Sequence, residues 1–418
     1  MTNWASSLED KIANRGTDMD RYSIVFKKYS INRSEAAEAL ACAEDNIHCI
    51  ENTQELVSKD VGHCNLVFEN AGVCYADLDD ETASRLATSS YVSHLRPIET
   101  VSQDQAEAPA TSFTRHDFKA SPTFQPIPWH VQRVGADRCW GIATGRGVKV
   151  GVIDSEIAKD HPDLPITEGK TFHPDTDNWY DGTDYHGTFC AGIIGARNNS
   201  AGVVGVAPDC DLYALRVNQG GFVSIENIFA AMMWAKDRGL DVVSISQWNT
   251  SGASSPDEAP WPDMVRGASI LNAAGCSVVG IAGNSGWFPN HWVTNPGRCP
   301  NFIAVGGTQF DDTWWESSSF GPEELDERMA VELVAPGSDV TSTIPGGGIA
   351  SGRSGTSFAC PHVSGLIALL KELHSDWSPD DLLAHIKSTA MDLDPPGRDP
   401  KLGVGMIDAF AAVVGATV

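Results

Sequence analysis

The chain has 418 residues, 42% hydrophobic and 20% charged, with a formal net charge of −26. That length suggests two or three domains, and that composition excludes global disorder. The acidity is spread, with 20 acidic and 11 basic residues in positions 1–122, and such a field repels phosphate backbones and anionic bilayers, so neither a nucleic-acid nor a membrane partner is expected. No apolar run reaches the length of a membrane span.

Positions 1–20 read as a polar leader. Their opening, MTNWASSLEDKIANRG, lacks the basic and apolar regions of a secretory signal. Synthesis in the cytosol is the expectation, with export by a signal-independent route left open. From 21 to 101 the pattern is that of a small α+β domain. RYSIVFKKY alternates Tyr22, Ile24 and Phe26 as a strand. RSEAAEALACAEDN follows as an amphipathic helix, then CNLVFENAGVCYADL as two strands about an Asn-Ala-Gly turn. DDETASRLATSS is a second helix with Asp caps, and YVSHLRPIETV a last strand. The order β-α-β-β-α-β is the split, ferredoxin-like arrangement.

Residues 102–122 carry little periodic apolar signal and read as an exposed linker. From 123 to 418 the texture changes. Apolar runs such as VKVGVID, DLYALRV, DVVSIS, SVVGIAG and FIAVGG alternate with helical stretches such as SIENIFAAMMWAKDRG. This alternation predicts a mainly parallel sheet sandwiched by helices, an α/β fold whose working groups gather at the strand C-terminal ends. The ten cysteines form no C-x-x-C pair, so buried, reduced thiols are expected and zinc is not.

Three motifs in the second part carry polar residues suited to nucleophilic chemistry. VGVIDS ends an apolar strand on Asp154, YHGTFCAGIIGA sets His186 before a helix, and GTSFACPHVSG sets Ser357 at a helix start. Each alone has an ordinary structural explanation: a turn cap, a core histidine, an N-cap serine. Together, with GIAGNSG ending a strand on Asn284 between the last two, they form a constellation in the order Asp, His, Ser. That order and those motifs resemble the subtilisin-like serine proteases, the subtilase family, over about residues 125–415. The resemblance implies Ser357 as nucleophile, His186 as general base, Asp154 as its orienting carboxylate and Asn284 as an oxyanion donor.

It further implies a cleft that binds an extended polypeptide by strand addition, lined by Gln219, Gly220 and Gly221 on one side and by Ser246, Gln247 and Trp248 on the other, with Thr294 near the base of the S1 pocket. A calcium site is implied too: side chains of Gln125, Asp163 and Asn199 with the carbonyls of Arg197, Ala201 and Val203, an oxygen set suited to Ca²⁺. Residues 21–101 resemble the family's propeptide, an intramolecular inhibitor cut away between Thr100 and Thr123.

Departures from the family pattern refine these expectations. Glu156 stands where a small residue is usual, and a carboxylate near His186 is expected to raise the imidazole pKa. Trp248 and Thr294 occupy positions of small residues, which points to a selective enzyme cleaving after small or modest uncharged residues. Cys190 and Cys360 read as buried apolar side chains or as a source of thiol sensitivity. The expected function is a monomeric serine endopeptidase made as a zymogen, a processing enzyme that also processes itself. The alternatives are a captive zymogen, a non-catalytic peptide-binding module, and a transpeptidase or macrocyclase using the same acyl-enzyme.

Overall fold

A computed structural model describes residues 20–40, 47–50, 65–98, 100–102, 125–182, 184–219, 222–247, 259–288, 291–322 and 331–417. The described chain forms two compact units, residues 20–98 and residues 100–417.

The first unit runs β1 (Asp20–Phe26), α1 (Arg33–Leu40), β2 (Ile47–Ile50), β3 (Asn65–Phe68), β4 (Val73–Leu78), α2 (Asp80–Ala87) and β5 (Val92–Pro97). Its sheet has the order β2-β3-β4-β1-β5, antiparallel except for the β2–β3 pair. Without β2 this is the split β-α-β-β-α-β order that the sequence pattern predicts. The added edge strand has a buried–exposed–intermediate–buried pattern, too short and too irregular to show as a period of two. Both helices start on side-chain caps. Asn32 Oδ1 accepts from Glu35 N at 2.9 Å while Glu35 Oε2 accepts from Asn32 N at 3.1 Å, and Asp79 Oδ1 accepts from Thr82 N at 2.7 Å. Ile24, Phe26, Ala36, Leu40, Val67, Cys74 and Leu86 build the core between helices and sheet.

The stretch read as one last strand is broken in the structure. β5 ends at Pro97, and β6 (Thr100–Ser102) belongs to the second unit, where it pairs antiparallel with β11 (Phe222–Ser224). β11 in turn pairs with β10 (Asn218–Gln219).

The second unit is built on a seven-stranded, wholly parallel sheet of order β15-β14-β13-β12-β7-β9-β8. Its strands are β7 (Lys149–Asp154), β8 (Ile166–Thr171), β9 (Asp211–Arg216), β12 (Val242–Ile245), β13 (Ser277–Ile281), β14 (Phe302–Thr308) and β15 (Leu333–Pro336). Strands β12, β13 and β14 are buried throughout, as expected for strands covered on both faces. The helices are α3 (Trp129–Arg133), α4 (His186–Gly195), α5 (Ile225–Arg238), α6 (Pro262–Ala273), α7 (Thr356–Leu373), α8 (Pro379–Thr389) and α9 (Ala409–Gly415). A hairpin of β16 (Val340–Ile344) and β17 (Gly348–Arg353) packs on α4, with Ser342 and Thr343 hydroxyls donating to the Phe189 and Thr188 carbonyls at 2.8 Å. From β7 the chain goes first to the edge strand β8 and back to β9 on one side, then crosses to β12 and runs outward through β13, β14 and β15 on the other. The crevice at the C-terminal ends of these central strands is therefore a topological switch point, where such sheets place their working groups.

α7 passes through the core, and all but the last turn of it is buried. Gly365 permits its closest approach to the rest of the unit, since a Cβ there would lie 2.6 Å from Val206 Cβ. Gly365→Ala is accordingly expected to destabilise the unit by about 1–3 kcal/mol through overpacking, read as a lowered midpoint in thermal unfolding.

Candidate active site

Asp154 is the last residue of β7 and is fully buried. A buried carboxylate needs partners. Asp154 Oδ1 accepts from Ser155 N at 2.7 Å and from His186 Nδ1 at 2.7 Å. His186, 2% exposed, opens α4. The start of that helix is fixed from below: His186 N donates to Asp184 Oδ1 at 2.9 Å and Gly187 N to Ser155 Oγ at 2.9 Å. Gly187 has no side chain because a Cβ would meet the Ser155 carbonyl at 2.7 Å. Burial by itself lowers the His186 pKa, but the Asp154 charge and hydrogen bond outweigh it and raise the pKa well above the ordinary histidine value. With Nδ1–H committed to Asp154, Nε2 is the basic nitrogen.

Asn284 follows β13 by a Gly283 held at φ +108°, a conformation that favours glycine. Its amide is oriented by Thr356, whose N and Oγ1 donate to Asn284 Oδ1 at 2.9 and 2.7 Å. Asn284 Nδ2 and Ser357 Oγ are buried and have no hydrogen-bond partner among the described residues. A donor and a hydroxyl held in this way, at a helix N-terminus, suit attack on a carbonyl and stabilisation of the resulting oxyanion. The serine and histidine motifs meet at Cys190, whose Sγ lies 3.4 Å from the Ser357 carbonyl oxygen and 3.9 Å from His186 Nδ1. The Phe358 and His186 rings are 5.6 Å apart. Asp154, His186, Asn284 and Ser357, from four separate motifs, thus occupy one buried neighbourhood.

The expected cleft residues divide. Gly220, Gly221 and Trp248 lie outside the described residues, as do residues 103–122. Gln219 contributes backbone to β10. Ser246 supports the nucleophile from behind, its Oγ donating to the Ser357 carbonyl at 2.9 Å. Gln247, the next residue, is fully buried, and neither atom of its amide has a hydrogen-bond partner. Thr294 is buried against the turn before Asn284, and a Cβ on Gly283 would approach its Oγ1 at 2.8 Å.

Glu156 corrects the sequence reading. Its carboxylate is turned to other groups: Oε1 accepts from Asp184 N at 2.7 Å and Oε2 is 3.3 Å from Arg216 Nη2. Arg216, 3% exposed at the end of β9, also donates to the Asn178 and Asp181 carbonyls. The further acid beside His186, after Asp154, is Asp184, which accepts from the His186 backbone N–H. Burial raises the Asp184 pKa, and the His186 charge opposes that rise. Neither Arg216 nor Asp184 stood out in the sequence, where each is one polar residue in a loop or strand end. The expectation for Glu156→Gln is therefore reversed: the acid limb of kcat/KM stays set by Asp154 above the usual histidine range. Arg216 loses its buried counter-charge, at a cost of about 3 kcal/mol. A pH–rate profile and a melting curve of the same variant check both halves.

A second cluster lies on the loop after α4. Gln125 Nε2 faces the carbonyls of Arg197 at 2.8 Å, Val203 at 2.7 Å and Ala201 closer still. Gln125 Oε1 accepts from Asn199 N and Ser200 N, both at 2.9 Å. Beside it, Asp163 Oδ2 accepts from Val203 N at 3.0 Å while the buried Oδ1 has no partner, and burial lifts the Asp163 pKa to about 6. Asn199 Oδ1 accepts from Ala201 N at 2.9 Å. A Cβ on Gly202 would collide with Asp163 Oδ2. Three carbonyls converging beside a carboxylate oxygen that has no partner among the described residues make an oxygen-rich cradle suited to a hard cation, and here the Gln125 Nε2 group occupies the point where those carbonyls meet.

Residues 145–405 match the subtilase family. Alkaline elastase YaB of Bacillus sp. (strain YaB) is 37% identical over 306 residues, 73% of this chain and 74% of that protein. Subtilisin Savinase of Lederbergia lenta is 37% identical over 290 residues, 69% of this chain and 99% of that protein. Subtilisin J of Geobacillus stearothermophilus is 29% identical over 388 residues, 92% of this chain and 90% of that protein. The chain belongs to the subtilase family and is a subtilisin-like serine endopeptidase.

Proposed function

We propose that this endopeptidase is a selective processing protease made as a zymogen, with Asp154, His186 and Ser357 as its triad and Asn284 as a donor to the oxyanion. Ser357 Oγ attacks the scissile carbonyl as His186 Nε2 takes its proton. Asp154 holds the imidazole in the required tautomer and stabilises the imidazolium. The Ser357 N–H and Asn284 Nδ2 receive the developing negative charge, His186 returns the proton to the leaving amine, and water hydrolyses the acyl-enzyme. The observation that carries this reading is the buried Asp154–His186 contact at 2.7 Å beside a buried, unpartnered Ser357 hydroxyl.

Selectivity is supported by Gln247. Its buried, unpartnered amide disfavours a purely apolar substrate group against it. Autoprocessing is supported by β6. The pairing of Ser102 with Phe222 and Val101 with Val223 adds a strand of the chain itself to the hairpin that carries Gln219, the geometry in which an extended substrate would bind. Residues 20–98 act in this reading as the propeptide, and the bond cut lies beyond Ser102. The enzyme works as a monomer, in the cytosol or after signal-independent export.

Incubation of the full chain is expected to release a fragment beginning between Gln103 and Thr123, identified by N-terminal sequencing. Ser357→Ala abolishes it. A fragment that persists in Ser357→Ala would reject self-cleavage, and cyclised products in the mass spectrum would favour a transpeptidase.

The cradle of Gln125, Asp163 and Asn199 with the Arg197, Ala201 and Val203 carbonyls holds structural Ca²⁺ in this reading. The ion supplies positive charge that ties the loop after α4 to residue 125. Chelation with EDTA lowers the thermal midpoint, added Ca²⁺ restores it, and Asp163→Ala removes the response to both.

A further inference from the structure

α7 carries the nucleophile yet contains Pro361 in its second turn. Proline has no N–H, so the Ser357 carbonyl, four residues earlier, has no helical donor. Side chains take that part. Ser246 Oγ and Cys190 Sγ reach the Ser357 carbonyl at 2.9 and 3.4 Å, and His362 Nδ1 donates to the next one, Phe358 O, at 2.8 Å. His362 is held in turn by His130 of α3. Its Nε2 lies 2.7 Å from His130 Nδ1, and both rings are fully buried, edge to face at 4.8 Å. His130 Nε2 ends the chain at Thr341 of β16, 2.8 Å from its carbonyl oxygen and 3.3 Å from its N–H.

Counting protons along this chain gives two arrangements, of which only the three-proton one places a hydrogen between His130 Nε2 and the Thr341 carbonyl, 2.8 Å apart. With two protons the pair is neutral: Thr341 N–H donates to His130 Nε2, His130 Nδ1–H to His362 Nε2, and His362 Nδ1–H to Phe358 O. A third proton goes on His130 Nε2, where the Thr341 carbonyl accepts it, and the pair becomes a buried cation. We propose that His130 is a positioning residue for the nucleophile helix, acting through His362, and that proton uptake by this pair sets the acid limit of the catalytic unit.

Among the described residues no carboxylate acts on either ring. On α3 the neighbouring charge, Arg133, is paired with Asp312 at 2.6 Å. Asp339, just before β16, gives its backbone carbonyl to Trp129 Nε1 at 2.9 Å. α7 offers the uncharged Phe358 and Ala359. Burial accordingly lowers the His130 pKa to about 4, and burial with the His130 charge holds His362 well below the histidine value. The folded pair thus binds fewer protons than the unfolded chain between the ordinary histidine pKa, about 6.5, and about 4. Its stabilisation is complete above that window and is lost as pH falls through it.

The test uses the full chain carrying Ser357→Ala, which cannot digest itself, with and without His130→Gln. Glutamine keeps an acceptor and a donor but takes up no proton. Between pH 6.5 and pH 4 the thermal midpoint of the parent is expected to fall by about 5–10 °C more than that of the His130→Gln chain. Equal falls would overturn the proposal. Should the glutamine chain fail to fold, ¹⁵N-histidine NMR of the parent decides the matter. Two coupled, neutral rings at pH 7 that gain a proton below pH 5 support the switch. A pair already charged at pH 7, or one that never titrates before unfolding, refutes it.

Discussion

A carboxylate at the end of a parallel strand, cut off from water, constrains the whole catalytic unit. Asp154 is fully buried, and its charge is matched by an imidazole 2.7 Å away. That one contact fixes which nitrogen of His186 is basic and keeps the ring well above its ordinary pKa. The rest of the crevice is arranged around the same need. Arg216 is the register partner of Asp154 on the adjacent strand, and its guanidinium meets Glu156. A second buried acid next to the triad therefore adds no uncompensated charge.

The nucleophile is held by a helix that is incomplete by itself. Pro361 removes the N–H that would bond the Ser357 carbonyl, and the first turns of α7 take their donors from elsewhere. Ser246 comes from the end of β12, Cys190 from α4 and His362 from α7 itself, braced by His130 of α3. The position of Ser357 thus depends on four elements. Thr356 joins a fifth by orienting the Asn284 amide. The two groups that meet the substrate carbonyl are consequently coupled through adjacent residues of one helix turn.

Burial also explains the thiols. The eight described cysteines are thiols, and seven are buried. Desolvation pushes the Cys190 thiol up to about 11 and that of Cys360 up to about 12. They stay neutral at any working pH, so Cys190 can touch both His186 and the Ser357 carbonyl as a weakly polar packing group without competing as a nucleophile.

The sequence by itself determined the parallel α/β framework, because apolar runs of strand length are local signals, and the resemblance of its four motifs to one family implied that they meet in one site. It also located the strands of the first unit apart from β2, whose irregular burial leaves no period. What a residue faces was settled only in three dimensions. Glu156 lies two positions from Asp154, yet its partner Arg216 comes from sixty residues away, so proximity in sequence misassigned its charge. The Ser246 hydroxyl braces the nucleophile, a role the sequence did not show, because strand alternation past the end of β12 turns that side chain toward α7. His130 and His362 are 232 residues apart and unremarkable singly. Hydrogen bonds of that range follow from packing, which no local pattern encodes, and the tertiary structure alone joined them.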